Sequence, residues 1–140
     1  MATKVLDSWA LIAFFEDEPA ADAVEKLLQQ AADEKHKLLM NVVNWGEVYY
    51  NTMREVSQEA AEQKAHEIAA LPIDIIGVSD DLALVKQAAI FKATHRMTYA
   101  DCFAAALAKQ KNAELVTGDP EFKAVEKEIK IHWLTAAVSA

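Results

Sequence analysis

What most constrains this chain is an alternation of five short apolar runs with longer stretches of helical periodicity. The runs lie at 4–7 (KVLD), 38–43 (LLMNVV), 73–78 (IDIIGV), 114–117 (ELVT) and 130–134 (KIHWL). Each has the length and composition of a strand. Helices are expected over 8–15, 20–32, 45–53, 58–71, 81–93 and 99–109, with a short one over 120–126. Pro19 suits entry into the second of these, and Pro72 stops the fourth. Strands separated by helices imply a parallel sheet covered on both faces. The expected fold is α/β: a three-layer α/β/α sandwich around a central, mostly parallel five-stranded sheet. With no repeat, linker or low-complexity tract, one domain over 1–140 is expected.

Composition narrows the function classes. A hydrophobic fraction of 53% with only 3 Gly and 3 Pro supplies a core and argues against disorder. The 22 Asp and Glu outnumber the 14 Lys and Arg, for a net charge of −8. Such a chain is a poor candidate for holding nucleic acid by bulk attraction to phosphate. It can still cut nucleic acid, because clustered carboxylates hold divalent cations that then face the phosphate. The apolar run 10–15 is far shorter than the ~20 residues of a membrane span. Its acidic flanks, Asp7 and Glu16-Asp17-Glu18, do not fit a signal peptide. The lone Cys102 cannot form an internal disulfide, so a cytoplasmic setting with no membrane partner is expected.

In parallel α/β sheets, ligands bind outside the carboxyl ends of the strands, where strand order reverses. Four acids fall there. Asp7 ends the first run, and Asp119 follows the fourth in Thr117-Gly118-Asp119-Pro120. Glu47 and Asp101 are expected in the first turns of the helices near 45 and 99. Each has a plainer explanation. Asn44-Trp45-Gly46-Glu47 and Thr98-Tyr99-Ala100-Asp101 both have capping-box spacing. Asp119 suits a turn before proline. Asp7 is harder to explain away, because a carboxylate between an apolar strand and an apolar helix needs a partner or a metal.

These segments resemble the PIN-domain nucleases, especially the small VapC-type toxins of toxin–antitoxin pairs. Val5-Leu6-Asp7-Ser8, Asn44-x-x-Glu47, Thr98-Tyr99-Ala100-Asp101-Cys102-Phe103 and Leu115-Val116-Thr117-Gly118-Asp119-Pro120-Glu121-Phe122 match the family's four motifs in order and spacing. Trp9 departs from it, standing where a small polar residue is commoner. The resemblance implies hydrolysis of RNA phosphodiesters, with Mg²⁺ or Mn²⁺ held by Asp7, Glu47, Asp101 and Asp119. Carboxylates without a thiol or imidazole cluster suit such hard ions. Asp7 and Asp101 are the expected direct ligands, and Ser8 and Thr117 are expected to orient a carboxylate or water. Asn44 is expected to cap its helix. A cognate antitoxin and a homodimer follow from the family.

The remaining candidates carry less. Trp9, Trp45 and Tyr49 can stack on bases, but core or rim packing is the expected role. Lys92, His95 and Arg96 can hold phosphate, while Lys35-His36-Lys37 reads equally well as a solvated loop. The four histidines lack pairing spacing and are read as surface or incidental, and Cys102 is read as packing. Three alternatives remain: a stand-alone RNA-processing enzyme, a non-catalytic PIN-like module, and a receiver domain. A receiver needs an acidic pair after its first strand, and Asp7 has no acidic neighbour.

Overall fold

The structure, a computed structural model, describes residues 2–134, so both ends of the expected 1–140 domain lie outside it. Ala2–Leu6 (β1) leads into Ser8–Phe15 (α1) and Ala21–Ala32 (α2). His36–Asn41 (β2) is followed by Val42–Glu55 (α3) and Gln58–Ala69 (α4). Asp74–Ile76 (β3) precedes Leu82–Thr94 (α5) and Tyr99–Gln110 (α6). Glu114–Thr117 (β4), a 3-10 helix at Pro120–Val125 and Lys130–Trp133 (β5) follow.

The strands form one sheet in the order β3-β2-β1-β4-β5. Every pair is parallel, so the sheet is wholly rather than mostly parallel. The expected α/β/α layering is otherwise what the chain forms. Receiver domains order their strands 2-1-3-4-5, and this sheet does not.

Both faces of the sheet are buried, which is why its strands read as continuous apolar runs. The period of two appears only once the faces are separated. Val5, Leu39 and Leu115 pack on one side against Leu84, Phe91, Leu107 and Phe122, from α5, α6 and the 3-10 helix. Leu6, Leu38, Met40 and Val116 pack on the other, against Leu11, Val24, Leu28, Val48 and Ile68. Helix α6 is buried without interruption from Asp101 to Ala108. Its Ala104, Ala105, Ala106 and Ala108 present little side chain, which lets α5 and the sheet approach closely. No described helix is long and apolar enough to cross a membrane.

One boundary differs in a way that matters for the site. The expected strand at 38–43 starts and ends two residues earlier, because parallel pairing sets Ala2 opposite His36 and Asn41 opposite Ile76. Asn41 then stops the strand: it is extended, and its side chain accepts from Val43 N–H at 2.9 Å. Helix α3 therefore begins at Val42 rather than 45, and Asn44 is not its cap. His36, read as surface or loop, is buried at the start of β2 with Nε2 3.0 Å from Leu27 O. At the edge, β3 keeps only three of the six residues expected.

Candidate active site

β1 and β4 are neighbours in the sheet, but the chain leaves β1 toward β2 and leaves β4 toward β5. The crevice beyond their carboxyl ends is the topological switch point. Asp7 directly follows β1 and caps α1, and Asp119 lies two residues beyond β4.

Asp7 is fully buried. Its Oδ1 accepts from Ala10 N–H at 2.9 Å, and its Oδ2 accepts from the Thr117 hydroxyl at 2.5 Å. Burial nevertheless pushes its pKa up to about 7; these two bonds oppose the shift, and the charges of Asp119 and Glu47 add to it. Thr117 also accepts the Asp119 N–H at 3.0 Å. One hydroxyl thus ties the end of β1 to the turn after β4. Asp119 in turn caps the 3-10 helix, with Oδ1 accepting from Glu121 N–H at 2.9 Å.

Asp101 sits in the first turn of α6 and is 5% exposed. Burial raises its pKa to about 8, with Asp119, Asp7, Glu121 and Glu47 adding to the shift through their charges. Thr98 caps this helix, its hydroxyl accepting from Asp101 N–H at 3.2 Å. The return bond of a capping box is absent. Thr98 N–H donates to Glu121 Oε1 at 2.6 Å instead, and the Asp101 carboxylate stays out of the box.

Glu47 lies in the second turn of α3, not the first, since the helix starts at Val42. Its capping-box reading therefore fails. Ser8 Oγ donates to Glu47 Oε1 at 2.7 Å. Asn44 is buried; its Nδ2 donates to Ala100 O at 3.0 Å and, more weakly, to Glu47 Oε1 at 3.4 Å. It joins α3 to the start of α6.

Carboxylate oxygens of Asp101, Asp119 and Glu121 lie within 4.8 Å of one another. Asp7 and Glu47 fall outside this triad but act on it electrostatically. Glu121 is the acid the sequence reading passed over. An acid in the first turn after Pro120 is already accounted for by the helix dipole, so nothing local separates it from surface acids.

Trp9 packs against the apolar cluster on the α1 side of the sheet, and so does Trp45, which stacks on Tyr49 with centroids 5.7 Å apart. Tyr49 spends its hydroxyl on Glu62 at 2.6 Å. These rings are part of the packing, as expected for them over base stacking. The Lys92 ammonium donates to Met97 O, and His95 pairs with Glu128; among the described residues, exposed Arg96 is the cation of that group with no such bond. Cys102 is buried, as packing requires.

Trp9 also sets a constraint on the turn beside Asp119. A Cβ on Gly118 would lie 2.2–2.6 Å from carbons of the Trp9 ring. Gly118→Ala is expected to destabilise the fold by about 1–3 kcal/mol, the usual cost of overpacking. Urea unfolding should show this loss shrinking in a Trp9→Phe background, where the smaller ring leaves room. An equal loss in both backgrounds would mean the cost comes from the backbone rather than the indole.

The sequence pattern of the PIN domain matches residues 4–128. No curated protein matches the chain by sequence. Among solved structures, the chain is similar to VapBC2 from Rickettsia felis bound to a DNA fragment from its promoter, with TM-score 0.71 and 16% identity over 95% of this chain and 99% of that one. It is similar to a toxin–antitoxin complex from Klebsiella pneumoniae, with TM-score 0.64 and 17% identity over 94% and 98% of the two chains. It is also similar to VapC20 from Mycobacterium tuberculosis, a sarcin-ricin loop cleaving toxin, with TM-score 0.66 and 16% identity over 89% and 95%. At these identities the likeness concerns the fold.

Proposed function

This chain belongs to the PIN domain family, and on that premise we propose that it is a Mg²⁺- or Mn²⁺-dependent endoribonuclease, the toxin of a toxin–antitoxin pair. One observation carries the reading. Carboxylate oxygens of Asp101 and Asp119 lie within 4.8 Å of each other beside a buried Asp7, at the crevice where the strand order reverses. Their donor set is all carboxylate, which fits a hard divalent ion and not a thiol- or imidazole-seeking one. The raised pKa values of Asp7 and Asp101 point the same way: burial first, and the neighbouring acids after it, leave both in need of a proton or a cation.

Asp101 and Asp119 would hold the ion directly, with Asp7 and Glu47 as ligands of the same or a second ion. Held by these residues, such an ion would supply activation of water and stabilisation of the charge that develops on phosphate and leaving oxygen. The chain's own groups prepare the site. Thr117 orients Asp7 through its hydroxyl and fixes the Asp119 turn through its lone pair. Ser8 holds one oxygen of Glu47, and among the described residues the other takes no hydrogen bond. Asn44 keeps Glu47 and the start of α6 in register.

RNA as substrate draws support from the resemblance to a toxin that cleaves the sarcin-ricin loop, and an antitoxin partner from the resemblance to a toxin–antitoxin complex. A homodimer draws on the exposed Tyr50, Met53 and Val56 at the end of α3. A cytoplasmic setting follows from the substrate.

The test is direct. Purified protein should cleave single-stranded RNA in Mg²⁺ or Mn²⁺ and not in a chelator. Cleavage that survives chelation would sink the metal–carboxylate mechanism. Induced expression should arrest growth, and co-expressing a small DNA-binding protein from the neighbouring gene should relieve the arrest. An active nuclease whose expression leaves growth unaffected would favour a stand-alone RNA-processing role.

A further inference from the structure

The geometry points to Glu121 as the positioning residue that frees the Asp101 carboxylate for the site, a role that rests on the nuclease reading above. In a capping box, the acid at the third helical position reaches back to the N–H of the cap residue. Helix α6 has that spacing, with Thr98 as cap and Asp101 at the third position. Half of the box forms normally, since the Thr98 hydroxyl accepts from Asp101 N–H. The other half is supplied from outside the helix. Thr98 N–H donates to Glu121 Oε1 at 2.6 Å, across 23 residues of chain.

This substitution has two effects. The donor that would draw the Asp101 side chain back toward Thr98 is already taken, so Asp101 keeps a carboxylate oxygen turned toward Asp119. Glu121 also binds Asp119 through its own backbone, its N–H donating to Asp119 Oδ1 at 2.9 Å. One residue therefore fixes the distance between the α6 terminus that carries Asp101 and the turn that carries Asp119. Asp101 and Asp119 come from separate segments, and a loose joint between them would spoil any shared ligand geometry.

The role assigned to Glu121 depends on an acceptor oxygen, not on its charge. Glu121→Gln keeps an acceptor for Thr98 N–H, whereas Glu121→Ala removes it. Mn²⁺ binding to the purified protein, measured by calorimetry, should weaken about 10–100-fold in Glu121→Ala, as for other residues that orient ligands. It should stay within about threefold of the parent in Glu121→Gln, whose amide oxygen still accepts. Hydrogen exchange at the Thr98 amide should quicken in the Ala variant and not in the Gln variant. Ser57→Ala serves as a control, because it removes a cap of the same kind from α4 and should leave Mn²⁺ affinity unchanged.

Three results would overturn the proposal: a Gln variant as weak as the Ala variant, an Ala variant that binds normally, or a Ser57 variant equally impaired. The first would make Glu121 a charged ligand. A parent protein that takes up no Mn²⁺ would instead refute the metal reading. The positioning role would then be judged on Thr98 exchange alone, and a Thr98 amide still protected in Glu121→Ala would overturn it.

Discussion

Asp101→Asn is expected to lower RNA cleavage by about a thousandfold or more while leaving the metal-free protein as stable as the parent, or more stable. The activity loss follows from the reading of Asp101 as a direct ligand. A metal ion contributes several kcal/mol to stabilising a phosphoryl transition state, and each ~1.4 kcal/mol is a factor of ten in rate. The stability effect has a separate cause. Asp101 is nearly buried, and the charges of Asp119, Asp7, Glu121 and Glu47 all disfavour its ionised form. Among the described residues its carboxylate takes no hydrogen bond, so an amide of the same shape removes the cost of burying the charge, and the repulsion, without breaking one.

Asp7→Asn should differ. Both Asp7 oxygens accept hydrogen bonds, one from Ala10 N–H and one from Thr117. An amide has one oxygen; with that oxygen kept on Ala10 N–H, its NH₂ faces Thr117, whose buried hydroxyl must turn to accept and so loses the acceptor for its own proton. Asp7→Asn should therefore lose activity and stability together. Rates with excess Mn²⁺ and thermal midpoints in chelator decide the matter. An Asp101→Asn protein that still cleaves RNA, or that melts as low as Asp7→Asn, would refute the assignment.

The second large effect is a stability that falls with rising pH until a metal reverses it. Asp7 and Asp101 carry pKa values of about 7 and about 8 in the folded chain. Unfolding returns both to the ordinary range near 4. Between about pH 4 and these folded values, the native state binds protons that the unfolded state has released. Stability then falls with pH, by about 1.4 kcal/mol per pH unit for each such proton. The contribution is complete below about pH 4 and gone above about pH 8. Glu114 titrates the other way: its hydrogen bond to Lys4 lowers its pKa, so its contribution is present above the ordinary glutamate range and lost as pH falls below it.

A divalent ion competes with the same two protons, so its affinity should rise through pH 7–8 and its binding should release protons. In chelator, the thermal midpoint should be lower at pH 8 than at pH 5.5. Added Mn²⁺ should raise it strongly at pH 8 and little at pH 5.5. Asp101→Asn should flatten the slope in chelator. A midpoint independent of pH, or equal stabilisation by Mn²⁺ at both pH values, would contradict the linkage.

Much of the scaffold was legible in the chain itself. Run length and helical period are local properties, and five strand-length runs with helices between them admit few arrangements other than a covered parallel sheet. The strand-end rule pointed to Asp7 and Asp119 for the same reason, since it needs only the strand limits. Glu47 and Asp101 were legible as positions, but their local explanations met different ends. Asp101 does follow a true cap at Thr98, yet it leaves the second half of the box to Glu121. Glu47 follows no cap at Asn44, because strand pairing moved the helix start to Val42.

The sequence by itself determined the layers, the parallel sense of the sheet and the placement of Asp7, Asp101 and Asp119 at strand and helix ends, but not that of Glu47, which lies a turn further into α3. Periodicity and terminus chemistry act within a few residues and are written in order along the chain. Only the tertiary structure decided which of Asn41 and Asn44 caps α3, that Thr117 spans 110 residues to hold Asp7, and that Glu121 joins Asp101 and Asp119. Those outcomes depend on register between strands and on which ends the sheet order brings together. The raised carboxyl pKa values belong here as well, since burial and neighbouring charge exist only once distant segments have met. The four acids were therefore visible as candidates, but the way they are held, and the fifth acid that aligns them, came from packing.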